Sequence, residues 1–187
     1  MTKSRIILGA LLIGSLLTGT AEAQSKSAQP VSPMRVGSAT LNLGIGVGAP
    51  YDGHYNGNAF GTKIAAEWGL WQAGPGVITL GGEFGGSFSN KSYYNDHDHW
   101  QARTIVLAMR SAWHYGWKVK GLDTYAGLSA GIGFERYGYE DNRENDVIPV
   151  FGGFVGASYF FTPGFGVNAE AGYDITNFQV GVVFKLK

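Results

Sequence analysis

The stretch RTIVLAMRSAWHYG, Arg103 to Gly116, carries an arginine in the middle of an apolar run. Read every second residue, one set is Ile105, Leu107, Met109, Ser111, Trp113 and Tyr115, and the other is Thr104, Val106, Ala108, Arg110, Ala112 and His114. A strand sends alternate side chains to opposite faces, so Arg110 faces away from the large hydrophobes. The same two-residue period recurs along the chain. It opposes Leu41, Leu43, Ile45 and Val47 to Thr40, Asn42, Gly44 and Gly46, and Ile64, Ala66, Trp68 and Leu70 to Lys63, Ala65, Glu67 and Gly69. It opposes Ile78, Leu80, Phe84 and Phe88 to Thr79, Gly81, Glu83, Gly85 and Ser87, and Leu122, Ala126, Leu128, Ile132 and Phe134 to Asp123, Tyr125, Gly127 and Ser129. Near the end, Phe165, Val167, Ala169, Ala171 and Tyr173 oppose Asn168, Glu170 and Asp174, and Phe178, Val180, Val182, Phe184 and Leu186 oppose Gln179, Gly181 and Lys185. A sixth segment, about Val147 to Phe161, is apolar at both parities, so its phase stays open.

These segments predict eight strands of about ten residues, the length that crosses a bilayer when tilted. Their connections alternate. Long polar ones follow strands one, three and five (APYDGHYNGNAF, SNKSYYNDHDHWQA, ERYGYEDNREND), and short turns follow strands two, four and six (QAGPG, GWKVKG, TPG). The last hairpin, near Asp174 to Thr176, is tight. Short turns on one side and longer loops on the other characterise an up-and-down membrane barrel with both termini on the short-turn side.

Eight-stranded barrels also exist in water, so sidedness must come from the chemistry of the faces. The face bearing Glu67, Glu83, Arg110 and Glu170 also carries most mid-strand glycines, and the opposite face carries the bulk. Eight strands enclose room for only a few large side chains, so the glycine-rich charged face is the inner one. Aromatic residues agree with this choice. Trp71, Trp113, Tyr115, Trp117, Phe161 and Phe165 fall near the short-turn ends, and Phe60, Phe88, Trp100, Phe134, Tyr173 and Phe178 near the long-loop ends. Two such girdles are expected at the two water interfaces.

Residues 1–23 read as a secretory signal: Lys3 and Arg5, the run IILGALLIGSLLTG, then TAEA with small residues at Ala21 and Ala23. Residues 24–37 read as a flexible lead-in and 38–187 as the barrel. Removing Lys3, Arg5 and Glu22 from the 14 basic and 14 acidic residues leaves 12 and 13, with no basic stretch, so nucleic acid has no electrostatic footprint here. With no cysteine, neither a disulfide framework nor a lipid-anchored cysteine is available.

Taken together, the signal IILGALLIGSLLTGTAEA, the eight alternating strands and the final FQVGVVFKLK resemble the small outer-membrane β-barrel proteins of Gram-negative bacteria, the broad family of the OmpA transmembrane domain and OmpX. The resemblance covers residues 38–187 and rests on pattern, with no catalytic motif. It implies an all-β, eight-stranded antiparallel up-and-down transmembrane β-barrel, multi-pass in the cell outer membrane. It further implies contact with outer-membrane lipids and lipopolysaccharide, and recognition by the barrel-assembly machinery during biogenesis. Family members usually finish on an aromatic residue, whereas this chain finishes Phe184, Lys185, Leu186, Lys187.

Two constellations are candidate sites. The first is a lumen charge cluster of Lys63, Glu67, Glu83, Arg110, Glu170 and Lys185. Charges confined in a narrow interior should pair, forming a structural plug of salt bridges; the functional alternative is a gated ion path in which Arg110 exchanges partners. The second is NDHDHW, where His97 and His99 share a parity and Asp96 or Asp98, with His54 from the neighbouring loop, would complete a divalent-metal set; a solvated polar loop is the plainer reading. An enzyme that modifies lipid A is a further alternative, but Ser111 and His114 lie on opposite faces of one strand and cannot form a nucleophile and base pair there. The expected function is therefore non-enzymatic and cofactor-free. It is a structural or surface-interaction role through extracellular loops rich in tyrosine, toward an extracellular ligand whose identity the residues leave open, with a narrow porin-like channel for ions or small solutes as the alternative.

Overall fold

The computed structural model describes residues 33–51, 58–92, 99–139 and 142–186, leaving aside the side chains of residues 58, 90–92, 99–100, 138–139 and 142–143. The signal 1–23 and the lead-in as far as residue 32 lie outside the described residues. Eight antiparallel strands form a closed ring in sequence order: β1 (Ala39–Val47), β2 (Asn58–Ala73), β3 (Gly76–Ser92), β4 (His99–Gly116), β5 (Leu122–Tyr139), β6 (Asn142–Phe160), β7 (Phe165–Tyr173) and β8 (Phe178–Lys185). The ring closes where β1 pairs with β8, from Thr40 opposite Lys185 to Val47 opposite Phe178.

Alternation sets the two faces as the sequence predicts. Leu107, Met109, Phe84, Leu128, Phe151 and Val180 are exposed on the outside, and Lys63, Glu67, Glu83, Arg110, His114 and Glu170 are buried within. A water-soluble barrel would show the reverse, and an outward apolar band around a polar interior is the arrangement of a lipid-embedded one. Trp71, Trp113, Trp117, Phe161 and Phe165 are exposed at the short-turn end, and Phe60, Phe134, Tyr173 and Phe178 at the other. At the short-turn end, Trp113 Nε1 donates to Ala73 O at 3.1 Å and Trp117 Nε1 to Thr124 Oγ1 at 2.9 Å, so each ring faces out with its polar handle satisfied.

The sixth segment acquires its phase from pairing: Val147, Phe151, Val155 and Tyr159 face out, while Val150, Phe154 and Ser158 are buried inside. One register shift lies between Gly69 and Trp71, where β2 carries an extra residue against β3. This bulge turns both Leu70 and Trp71 outward, which strict alternation forbids. The β2–β3 hairpin turns on Gly74 and Pro75, with Gly74 at φ 58°, the positive value a tight hairpin requires at its first central position.

Strands β2 to β6 are 16 to 19 residues long, where about ten were expected. Much of the predicted loop ERYGYEDNREND is paired strand, with Glu135 opposite Asp146 and Tyr139 opposite Asn142. Period-two patterning marks a strand only while one face meets hydrocarbon; above that level both faces meet water, yet backbone pairing continues. β7 ends at Tyr173, opposite Gly153 of β6, so residues 142–152 of β6 pair with β5 alone. Pro149 falls on this free edge, the place in a sheet where a missing N–H costs no ladder bond. The barrel is thus tall along β2–β6 and low along β7, β8 and β1.

The last residues of the lead-in are tied down. Gly37 N donates to Gly69 O at 2.8 Å, Lys185 Nζ donates to Pro33 O at 2.7 Å, and Met34 is buried. Sidedness makes a depth-dependent prediction. Met109→Arg, midway down the outward face of β4, should cost about 2–4 kcal/mol, and Val119→Arg, in the β4–β5 turn, about 0–1 kcal/mol, measured by denaturant unfolding in lipid vesicles. Equal costs at the two depths would contradict a membrane-facing exterior.

Candidate functional site

Register brings Thr40, Glu67, Gly81, Arg110, Ser129 and Gly152 to one level on six successive strands, all facing inward. Gly81 stands between Glu67 and Arg110 in the register, where a Cβ would lie 1.8 Å from Ala66 O, and Arg110 Nε meets Glu67 Oε1 at 2.5 Å. The other two nitrogens of the guanidinium are also held. Arg110 Nη1 donates to Glu83 Oε2 at 2.9 Å, and Nη2 donates to Glu170 Oε2 at 2.8 Å. Three carboxylates from β2, β3 and β7 therefore meet one planar cation that is 1% exposed.

Lys63 Nζ forms the second node, bonded to Glu170, to Asp174 Oδ2 at 2.6 Å, and lying 3.7 Å from Glu83. Below Arg110 the chain continues: Thr79 Oγ1 donates to Glu67 Oε2 at 2.7 Å, His114 Nε2 lies 3.0 Å from the same oxygen, and His114 Nδ1 lies 2.7 Å from Asp123 Oδ2. His114 thus bridges Glu67 and Asp123 through its two ring nitrogens. Five carboxylates, on Glu67, Glu83, Asp123, Glu170 and Asp174, thus share Lys63, Arg110 and His114.

The large rings inside the barrel occupy places where glycine stands on the neighbouring strand. A Cβ at Gly127 would lie 2.4 Å from the Phe154 ring, and one at Gly156 would lie 2.4 Å from the Tyr125 ring. Phe154 in turn lies under Arg110, whose Cζ is 3.9 Å from the ring centroid, while Tyr125 stacks on His114 at 4.9 Å. Cations on aromatic faces gain from the ring quadrupole, most where water is excluded.

Toward the long-loop end the β7–β8 connection bends into the barrel. Asp174 bonds Lys63 and accepts from Ser129 Oγ at 3.2 Å, Ile175 is fully buried against Val106, Ala108 and Val150, and Thr176 is buried against Gly46 and Gly61. Tyr51 and Ile148 pack on the same apolar group.

Five of the six residues expected in the lumen cluster, Lys63, Glu67, Glu83, Arg110 and Glu170, come together. Lys185 does not: its amine is spent on Pro33 O at the short-turn end. The expectation missed His114, Asp123 and Asp174 as members. Each shares the inward parity of its strand, and that parity was the available signal; what it lacked was the height of each residue, which only register supplies. The suggested loop metal set His54, Asp96, His97 and Asp98 lies outside the described residues, as does the side chain of His99, whose backbone opens β4. Among the described residues no group of three or more His, Asp or Glu side chains is arranged to hold a metal ion.

Arg110→Met should leave three carboxylates without their shared cation and destabilise the folded barrel by about 3–5 kcal/mol, the range for breaking one partner of a buried ion pair. Thr124→Val, outside the network, should cost far less. Both are read from denaturant midpoints in the same detergent, and a small loss for Arg110→Met would show that the network is not under load.

No family's sequence profile matches the chain, and no curated protein sequence matches it. Solved structures do. The attachment invasion locus protein Ail of Yersinia pestis, crystallised with the heparin analogue sucrose octasulfate, is 14% identical, with 79% of this chain and 93% of that one covered and a TM-score of 0.47. A second structure of Ail is 14% identical with a TM-score of 0.42, covering 81% of this chain and 96% of that one. With its closed ring, outward apolar band and polar interior, the chain has the architecture of the small outer-membrane β-barrels.

Proposed function

We propose that this protein is an integral outer-membrane barrel without enzymatic activity, acting in envelope structure or in surface interaction. The observation that carries the reading is the unequal height of the wall: β5 and β6 remain paired as far as Tyr139 and Asn142, beyond the level at which β7 and β8 end. A sheet rising above the apolar band contributes nothing to crossing the membrane and displays side chains to the exterior, where positioned surface elements usually carry recognition. On this wall Tyr137 OH donates to Glu144 at 3.1 Å, bracing β5 against β6 above the band.

In this reading the lumen is sealed. Arg110 and Lys63 tie β2, β3, β4 and β7 together across the interior, and Ile175 closes the apolar group above them. Residues 33–37 lie against the opposite mouth through Gly69 and Lys185. A continuous ion path would need both arrangements to open.

Two measurements test the proposal. An epitope inserted after Tyr139 should be detected by antibody on intact cells, and one inserted at Gly74 should be detected only after the outer membrane is permeabilised. Reconstituted in planar bilayers, the unmodified protein should leave the baseline conductance unchanged, whereas steady single-channel steps would replace this reading with that of a narrow pore.

A further inference from the structure

On the outer face of the tall wall, cross-strand register sorts side chains into rows. One row runs Phe60, Phe88, Arg103, Arg136, Asn145; the next row toward the short-turn end runs Thr62, Gly86, Ile105, Phe134, Val147. On β4 and β5 the change from apolar to charged falls between these two rows. Arg103 and Arg136 therefore occupy the first level above the hydrocarbon, where headgroup phosphates lie. They are also directly opposed across β4 and β5, an arrangement that like charges make unfavourable. Among the described residues neither guanidinium belongs to an ion pair.

The surface around them is concave and two-natured. A cleft of about 560 Å³ is lined by Arg103, Arg136, Asn145, Ile105, Phe134 and Val147. Glu135 and Asp146 also border it. Those two oppose each other at the parity of the inner face; Glu135 is buried, and Asp146 Oδ1 accepts from Val147 N at 2.7 Å. A second, smaller cleft of about 160 Å³ adjoins the first at Arg103 and is walled by Ile64, Phe84, Phe88 and Ile105. Its floor is Gly86, which shares the outward parity of Phe84 and Phe88 and leaves a gap between them; Gly82 repeats the gap one pair further down. Arg103 is held over the head of this gap by Phe88, with Cζ 5.1 Å from the ring centroid.

We propose that this face binds one phosphate-bearing lipid of the surrounding leaflet, with its phosphate between Arg103 and Arg136 and one acyl chain along the groove over Gly86 and Gly82. The anion relieves the repulsion between the opposed guanidinia and accepts charge-assisted hydrogen bonds from both. The groove supplies an apolar channel continuous with the band the barrel already presents to hydrocarbon. The inference rests on the membrane reading above and specifies the lipid chemistry that reading leaves open.

The test uses the full chain folded in neutral detergent, with bound lipid counted by native mass spectrometry. Phosphatidic acid supplies phosphate and chains, diacylglycerol the chains alone, and inorganic phosphate the anion alone. A single phosphatidic acid should be retained, with both partial probes bound far more weakly. Arg103→Gln/Arg136→Gln should weaken retention roughly tenfold or more, the factor equivalent to losing one charge-assisted hydrogen bond. Each single Gln variant should lose part of this. Gly82→Leu, whose Cβ would meet only Ala108 O at 3.6 Å, should weaken retention while keeping both charges. Lys118→Gln/Lys120→Gln, in the exposed β4–β5 turn, should change nothing. Equal retention by the arginine variants, equal loss on removing the two lysines, or equal binding of inorganic phosphate or diacylglycerol would overturn the proposal. Folding of each variant is checked by heat-dependent gel migration. A chain that stays soluble without detergent would refute the membrane reading itself, a separate outcome from the loss of this site.

Discussion

The guanidinium of Arg110 is the constraint around which the interior is organised. Buried and flat, it is surrounded by counter-charge within a ring of eight strands, hydrogen-bonded to Glu83 and Glu170 and ion-paired with Glu67. Removing charges from water is costly, and their mutual attraction offsets that cost only when geometry satisfies every member. The network therefore specifies more than it stabilises. It fixes the mutual height of β2, β3, β4 and β7, because a slip of one residue in any of them would send its charged side chain into lipid.

Space for this network is made by absence. Gly81 lets the β2 backbone at Ala66 approach closely between Glu67 and Arg110, and Gly127 and Gly156 face the rings of Phe154 and Tyr125. Those rings then give the network apolar faces to rest on, Phe154 under the Arg110 guanidinium and Tyr125 stacked on the His114 imidazole. The 30 glycines of the sequence are thus unevenly purposeful. Those on the inner face let large polar and aromatic groups share a narrow volume, and Gly86 on the outer face floors a cleft between Phe84 and Phe88.

The exterior follows from the same alternation read from the other side. Hydrocarbon supplies no hydrogen bonds, so the outward face is dominated by apolar side chains, and the indole N–H groups of Trp113 and Trp117 are satisfied by the protein itself. Where the solvent changes, so does the pattern, and the step from Ile105 and Phe134 to Arg103 and Arg136 occurs between two adjacent outward rows. The backbone does not register that change, which is why β5 and β6 continue well past it.

Alternation along RTIVLAMRSAWHYG and its counterparts was enough to determine the class of fold, the number of strands and the face to which each charged residue belongs, because period two is a local property of a strand with different solvents on its two sides. It was silent wherever that difference vanished: in β6, whose inner Val150 and Phe154 are as apolar as its outer residues, and above the membrane, where both faces are wet. It also failed at the bulge by Leu70, which suspends alternation. Only tertiary structure decided which inward residues meet. Height in the barrel comes from register between strands, and register brought His114, Asp123 and Asp174 into the ionic chain, left Lys185 to Pro33, and turned the tight β7–β8 connection inward so that Ile175 packs on Val106 and Val150. Those outcomes depend on pairing between residues as far apart as Lys63 and Asp174, and no local period encodes it.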